Sequence, residues 1–370
     1  MAGRIVVFGA TGYTGKLVSE ALVKRGARPV LAARSQEKLD QLADDLGTGA
    51  TPLETATADV GEPKSVRALV ERRDVLVSTV GPFARWGNAA ADAAVDAGAL
   101  YIDSTGEPAF IRRVFEEYGP RADRSGTGMI TASGYDWVPG NLAGALALRE
   151  AGDQATRVAV GYFIKGGASM SGGTAASAAG VFLEPSFAYR DGKIVTERSG
   201  RRARSFRMNG KEWWGVSVGG TEHFALPRVH PALEEVDVEL GWMGSASRLM
   251  PVVSAPVELL ARVPPAKAGI ERLLRTFVKG STGGPDAEAR SKSSSHVVGV
   301  AADAEGRDLA EAHLEGVDGY TFTGDFIAWA AAEAATNGFK ATGALGPVDA
   351  FGLDRLEAGV RDAGLERSGH

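Results

Sequence analysis

The sequence predicts an α/β protein, with a doubly wound parallel sheet first and a second α/β domain built on a mainly antiparallel sheet. Three observations carry this reading. Six short apolar runs alternate with helix-spaced segments in the first third of the 370 residues. The turn after the first run is Gly9-Ala10-Thr11-Gly12-Tyr13-Thr14-Gly15. Beyond residue 150 the pattern shifts to short strands punctuated by Asp191-Gly192, Asn209-Gly210 and Glu305-Gly306.

Residues 4–8 are apolar and end at glycine, which reads as a buried strand. Residues 16–25 place Leu17, Val18, Ala21 and Leu22 at helical spacing. Strands follow at 29–33, 55–59, 75–79, 100–103 and 129–132, with helices at 36–46, 63–72, 88–97 and 108–121 between them. Proline in the first turn marks the start of the helix at 63. In the second region the expected strands are 158–164, 236–242, and the hairpins 189–197, 205–218 and 295–317. Helices are expected at 252–262, 268–278 and 325–337. The domains are therefore read as 1–140 and 141–322, with helices of 323–370 returning to the first.

Composition narrows the function classes. A net charge of −5 argues against a nucleic-acid platform. The absence of cysteine excludes disulfides, thiolate metal sites and a cysteine nucleophile, and fits a reducing cytoplasm. The five histidines show no metal-ligand spacing, so no metal is expected. No stretch approaches the ~20 apolar residues of a membrane span, so membrane contact is not expected.

Six parallel strands are the full count of a Rossmann sheet, whose ligands lie beyond the carboxyl ends of the strands. The glycine turn supplies close backbone approach and a helix N-terminus for a pyrophosphate, through Gly9, Thr11, Gly12, Tyr13, Thr14 and Gly15. The plain alternative is a tight turn that binds nothing. The second strand ends at Arg34-Ser35 with Lys38 one turn on, which suits a ribose 2′-phosphate better than a hydroxyl. A solvated basic cluster is the alternative. Asp59 and Val60 follow the third strand, where Asp59 either flanks the adenine or caps a turn. Thr79, Gly81, Pro82 and Phe83 follow the fourth, and Gly106 and Glu107 the fifth; these complete the expected cofactor set.

The run Val80-Gly81-Pro82-Phe83-Ala84, the later Asp96-Ala97-Gly98 and Tyr101-Ile102-Asp103-Ser104-Thr105-Gly106-Glu107 resemble the saccharopine dehydrogenase-like oxidoreductases. More narrowly the chain is similar to their trans-acting enoyl reductase branch, on Gly134-Tyr135-Asp136, Pro139, the loop Ser171-Gly172-Gly173-Thr174 and Asp318-Gly319-Tyr320. Ser133, Trp137 and the Arg85-Trp86 pair depart from the family pattern. The resemblance implies NADPH-dependent reduction. Tyr135, Asp136 and Ser171 are the candidate catalytic residues, with Lys165 and His223 behind them. Trp86, Trp137, Thr174, Trp213 and His223 are the candidate substrate contacts. Paired tryptophans on a hairpin are equally a core feature.

The expected substrate is a conjugated C=C bond in an acyl or polyketide-like compound, free or carrier-bound. Reduction of an amino-acid-derived imine is the enzymatic alternative, and an NADP-binding sensor or scaffold is the non-catalytic one. Association as a homodimer is left open. Tyr189 and Lys193 match the Tyr-x-x-x-Lys of short-chain dehydrogenases, but Asp191-Gly192 between them opposes the helix that motif needs.

Overall fold

A computed structural model describes residues 3–47, 52–166, 185–208, 210–241, 244–252, 254 and 283–369. The chain divides into two units: 1–105, 110–135 and 319–364 form the first, and 106–109, 136–318 and 365–370 the second. The helices expected at 252–262 and 268–278 fall where only Val252 and Ser254 are described.

The first unit is built on β1 (Ile5–Phe8), β2 (Val30–Ala33), β3 (Thr55–Thr57), β4 (Val75–Ser78), β5 (Leu100–Asp103), β6 (Gly128–Ile130) and β15 (Gly343–Ala344). They form one sheet in the order β15-β6-β5-β4-β1-β2-β3, parallel at every pairing. The residues of β1, β2 and β4 are all buried, as apolar strands covered on both faces must be. The intervening helices are α1 (Tyr13–Lys24), α2 (Gln36–Leu46), α3 (Pro63–Arg67), α4 (Phe83–Ala97), α5 (Pro108–Arg113) and α6 (Gly119–Ser125).

Four sequence expectations change here. The helix expected at 88–97 begins at Phe83, because Pro82 takes the N-cap and Gly87 is a packing position. A Cβ at Gly87 would stand 2.5 Å from the Phe110 ring. The helix expected at 63–72 stops at Arg67. The helix expected at 108–121 is interrupted by a π-turn at Val114–Tyr118, with Gly119-Pro120 starting the next helix. Finally, β15 adds a seventh strand, too short to show as an apolar run. The long helix α10 (Gly319–Asn337) packs on α1, where a Cβ at Gly324 would meet that of Leu17 at 3.0 Å.

The second unit holds β7 (Arg157–Lys165), β8 (Ser186–Arg190), β9 (Lys193–Glu197), β10 (Ala203–Met208), β11 (Lys211–Ser217), β12 (Glu235–Leu240), β13 (Ser294–Ala302), β14 (Asp308–Gly316) and β16 (Leu365–Arg367). The path is β10-β11-β12-β7-β13-β14-β16, with β8 and β9 attached to β12. Among the described strands only β7 and β12 pair in parallel; the rest are antiparallel. One face is covered by α7 (Val138–Ala151), which approaches so closely that a Cβ at Gly299 would lie 2.5 Å from the Ala143 backbone. The other carries a cluster of Phe163, Phe206, Met208, Val298 and Val300 with Trp213 against it. The remaining helices include α8 (Glu222–Val229) and α9 (Ala287–Ser291) in this unit, and α11 (Pro347–Phe351) and α12 (Leu353–Asp362) in the first.

Candidate functional site

In the first unit the residues that follow β1, β2, β3, β4, β5 and β6 share the carboxyl edge of one parallel sheet. Gly9 has φ 92°, a conformation that favours glycine, and a Cβ there would sit 2.6 Å from Thr79 Oγ1. Thr79 Oγ1 hydrogen-bonds the Phe8 and Gly9 carbonyls at 3.2 Å, so the loops after β1 and β4 are tied together. Gly15 is a packing glycine: its Cβ would lie 2.1 Å from the Gly9 carbonyl oxygen. Gly12 is the N-cap of α1. The first turn of α1 has neither a side-chain cap nor an acidic residue. Its amide end and positive dipole are therefore open to an anion, with Thr11 and Thr14 half-buried beside it. Tyr13 packs edge-on against Tyr320, 5.2 Å between centroids, which fixes the helix start. A pyrophosphate fits this cradle.

Arg34 and Lys38 are exposed, and among the described residues neither side chain makes an ion pair or hydrogen bond. Ser35 is committed elsewhere: its hydroxyl caps α2 by accepting from the Lys38 N–H at 3.4 Å. Asp59 caps its own turn, Oδ1 accepting from the Gly61 N–H at 2.8 Å. Gly81 is exposed and Pro82 half-buried, but the Phe83 ring is buried on Phe110 at 5.6 Å, which leaves only its backbone for a ligand. Trp86 is half-buried under Arg85, whose guanidinium lies 4.3 Å from the ring centroid. Both line a groove of about 430 Å³ with Val60, Pro63, Lys64 and Arg67. The other described substrate candidates, Trp137, Trp213 and His223, are not among its lining residues.

The loop after β6 is held by Asp103, which is fully buried. Its Oδ1 accepts from the Thr105 and Ala132 N–H groups at 2.9 Å, and its Oδ2 from Thr131 Oγ1 at 2.7 Å. Burial pushes its carboxyl up to about 6, against the opposing hydrogen bonds. Tyr135 follows, its N–H bonded to Thr323 Oγ1 at 3.0 Å and its ring against Phe322 and Gly319. Its side chain is 5% exposed and packs in the first unit.

The second unit assembles a set of polar groups around Asp136. The nearest atom to a Cβ at Gly106 would be Asp136 Oδ2, at 3.9 Å. Asp136 Oδ1 is inaccessible to solvent and has no hydrogen-bond partner, and burial pushes the carboxyl up to about 7. Glu107, next to Gly106 in the chain, is also buried. Trp137 is 1% exposed and meets the Tyr162 ring edge-on at 5.3 Å, so it belongs to the core of the unit and does not form a substrate wall. Its carbonyl accepts from Tyr162 Oη and Asn141 Nδ2, both at 2.9 Å. Asn141 Nδ2 also donates to Thr221 Oγ1 at 2.8 Å. Tyr162 Oη accepts from Gly140 N–H at 2.9 Å and touches Glu222 Oε1 at 2.5 Å.

His223 is likewise a core residue. It is 2% exposed, its Nδ1 faces Gly220 and its ring meets Phe187. Burial lowers its imidazole to about 4, so it is neutral at pH 7. Trp213 packs on Phe163 at 5.8 Å. Lys165 is paired with Glu315 at 3.4 Å. Tyr189 and Lys193 lie on opposite strands of a hairpin, which removes the short-chain dehydrogenase reading. Ser171 and Thr174 lie outside the described residues. Sequence reasoning missed Tyr162 and Glu222; the only local signal was an acid at the start of a helix after Gly219-Gly220-Thr221. Among the described residues no group of three or more His, Asp or Glu could hold a metal ion, and no helix is long and apolar enough to cross a membrane.

The parallel sheet, glycine cradle and unpaired Arg34 define a dinucleotide-binding domain. Residues 5–129 match the saccharopine dehydrogenase NADP-binding domain, so the first unit carries an NADP-binding domain of that type. Among relatives, a Mycobacterium tuberculosis protein provisionally named trans-acting enoyl reductase is 40% identical over 180 residues, 47% of this chain and 42% of that protein. A trans-acting enoyl reductase of Mycobacterium bovis is 39% identical over 140 residues, 37% of this chain and 34% of that one. The aligned part thus spans less than half the length of either relative. The fold is also similar to apo saccharopine dehydrogenase (L-Glu forming) of Saccharomyces cerevisiae, with TM-score 0.57 and 13% identity over 100% of this chain and 99% of that one.

Proposed function

We propose that the chain is an NADPH-dependent reductase acting on a conjugated carbon–carbon double bond of an acyl or polyketide-like substrate. The NADP-binding domain and the similarity to trans-acting enoyl reductases support the reading. The trans-acting name of those relatives supports a carrier-bound substrate over a free one. The cofactor, when bound, supplies a hydride. The chain's residues then have four tasks. The glycine turn and the α1 N-terminus bind the pyrophosphate. Arg34 and Lys38 take the 2′-phosphate, where Ser35 is occupied in capping α2. Val60 and Trp86, which share one groove, take the adenine end, so Trp86 moves from the substrate set to the cofactor set.

The fourth task is the proton. Reduction of a C=C bond adds hydride at one carbon and a proton at its neighbour, so one acid must hold a proton near neutrality. The observation that carries the reading is Asp136: its buried carboxyl has an unpartnered Oδ1 and a proton affinity raised to about 7. Asp136 therefore replaces Tyr135 as the leading donor. The experiment is NADPH consumption by purified protein with an α,β-unsaturated thioester, compared with Asp136→Asn. The expected result is turnover in the first, and in the second a loss of roughly 10²- to 10⁴-fold at unchanged NADPH affinity. Consumption that needs an amine and an aldehyde would instead identify an imine reductase, and binding without consumption a sensor.

A further inference from the structure

Glu222 is 0% exposed and opens α8. Among the described residues, the charged and titratable groups that act on it are Tyr162, from β7, and Asp136, from the segment before α7, and no cation does. Its Oε2 is buried without a partner, as are Asp136 Oδ1 and Trp137 Nε1. The surroundings are tight. A Cβ at Gly220 would stand 2.5 Å from Glu222 Oε2, and one at Gly140 would stand 2.0 Å from Tyr162 Oη.

Proton counting at Tyr162 decides the charge of this acid. The phenol oxygen has one hydrogen, and among the described residues it meets the Gly140 N–H, the Trp137 carbonyl and Glu222 Oε1. With Glu222 ionised, the phenol faces two acceptors and can donate to only one. With Glu222 protonated on Oε1, the acid donates to Tyr162 and Tyr162 donates to the Trp137 carbonyl. All three contacts are then hydrogen bonds at once. An ionised carboxylate here would also carry a buried, unpaired Oε2 beside a second acid, with no compensating cation among the described residues.

We propose that Glu222 is a positioning residue of the active site, kept as a neutral carboxylic acid, which through Tyr162 and the Trp137 carbonyl holds the Asp136 carboxyl in its working place. This rests on Asp136 as the proton-handling group of the proposed reduction. The same arrangement accounts for the direction of the titrations. Desolvation, with a smaller contribution from the charge of Asp136, raises Glu222 to about 8 against the opposing hydrogen bonds of Tyr162 and its own backbone, while burial raises Asp136 to about 7. Loss of the Glu222 proton leaves one phenol hydrogen for two acceptors, Glu222 and the Trp137 carbonyl, so the chain between them is broken. Turnover therefore falls with one proton above pH about 7, as Asp136 ionises, and with a second above about 8.

Two measurements on the full chain test this. Infrared spectra at pH 7 should contain the carbonyl stretch of a protonated carboxyl that is missing in Glu222→Gln. Full retention of the band in that variant, or its absence in the wild type, would overturn the neutral-acid assignment. For the positioning role, Glu222→Ala should lower kcat roughly 10- to 100-fold, as a displaced catalytic group does, with the Kd for NADPH unchanged. Glu222→Gln should rescue most of that loss at pH 6. The second proton step above about 8 should then be missing from its profile. A Gln variant as poor as Ala at pH 6, or one whose profile keeps the second step, would overturn the proposal. The infrared arm needs no turnover, so a wild type inactive on every unsaturated thioester refutes the reductase reading separately.

Discussion

The Asp103 carboxylate accepts the backbone N–H of Ala132 at 2.9 Å, joining the ends of two neighbouring parallel strands. Ala132 has φ 57°, a left-handed conformation that side chains rarely adopt. Asp103 therefore fixes a strained turn just before Tyr135 and Asp136. Asp103→Ala leaves the Ala132 and Thr105 amides and the Thr131 hydroxyl buried without this acceptor. Each such group costs ~1–3 kcal/mol, so a loss of at least ~2 kcal/mol is expected in urea unfolding. A variant as stable as the wild type would show that the turn holds itself.

The three glycines of the cradle do different work, and substitution separates them. Gly15→Ala drives a methyl to 2.1 Å from the Gly9 carbonyl oxygen, so the thermal midpoint should fall sharply. At Gly12 the nearest contact is 3.2 Å, again to Gly9 O. Gly12→Val should therefore keep its far-UV spectrum while losing NADPH binding, read by fluorescence titration. Normal affinity in Gly12→Val would make the loop merely structural.

Cofactor choice follows from the free guanidinium of Arg34. A charged hydrogen bond to a 2′-phosphate contributes ~1.5–3 kcal/mol, so Arg34→Ala should weaken NADPH roughly 10- to 100-fold and leave NADH nearly unchanged. Trp86→Ala, at the proposed adenine end, should weaken both alike. Equal losses for both cofactors in Arg34→Ala would remove the phosphate assignment.

Much of this was legible in the chain because the signals are local. A buried parallel strand is a continuous apolar run, and the glycine turn follows β1 directly. Hairpins announced themselves through Asp191-Gly192, whose residues take φ 50° and 72°. What stayed hidden depends on distance in sequence. Tyr162 and Glu222 are 60 residues apart, and nothing near either residue says that they meet. Trp137 and His223 looked like pocket residues because aromatic and imidazole groups often are; the fold places both in the core, where their partners are Tyr162 and Phe187. The early start of α4 was missed because Gly81-Pro82 and Gly87 suggest a turn, whereas Pro82 caps the helix and Gly87 makes room for Phe110.

The buried acids give stability a pH dependence of definite sign. Asp136 and Glu222 keep protons up to about 7 and about 8 in the folded chain, whereas the unfolded chain releases them near 3.8 and 4.5. The folded state binds more protons across that window, so their contribution to stability is lost as pH rises through it. His223, lowered from 6.5 to about 4, acts oppositely: its contribution is lost as pH falls below 6.5. Glu222→Gln should therefore gain on the wild type in urea midpoints between pH 5 and pH 8. A constant difference across that range would mean that Glu222 titrates as an ordinary acid.

The most direct test of the central claim is isotopic. NADPH carrying deuterium at the transferred position is incubated with an α,β-unsaturated acyl thioester and the protein, and the product is read by mass spectrometry and NMR. The reductase reading predicts a saturated thioester with one deuterium on the carbon β to the carbonyl and a solvent-derived hydrogen on the α carbon. Unchanged thioester, with deuterium appearing only in a secondary amine when an amino acid and an aldehyde are supplied, would contradict it.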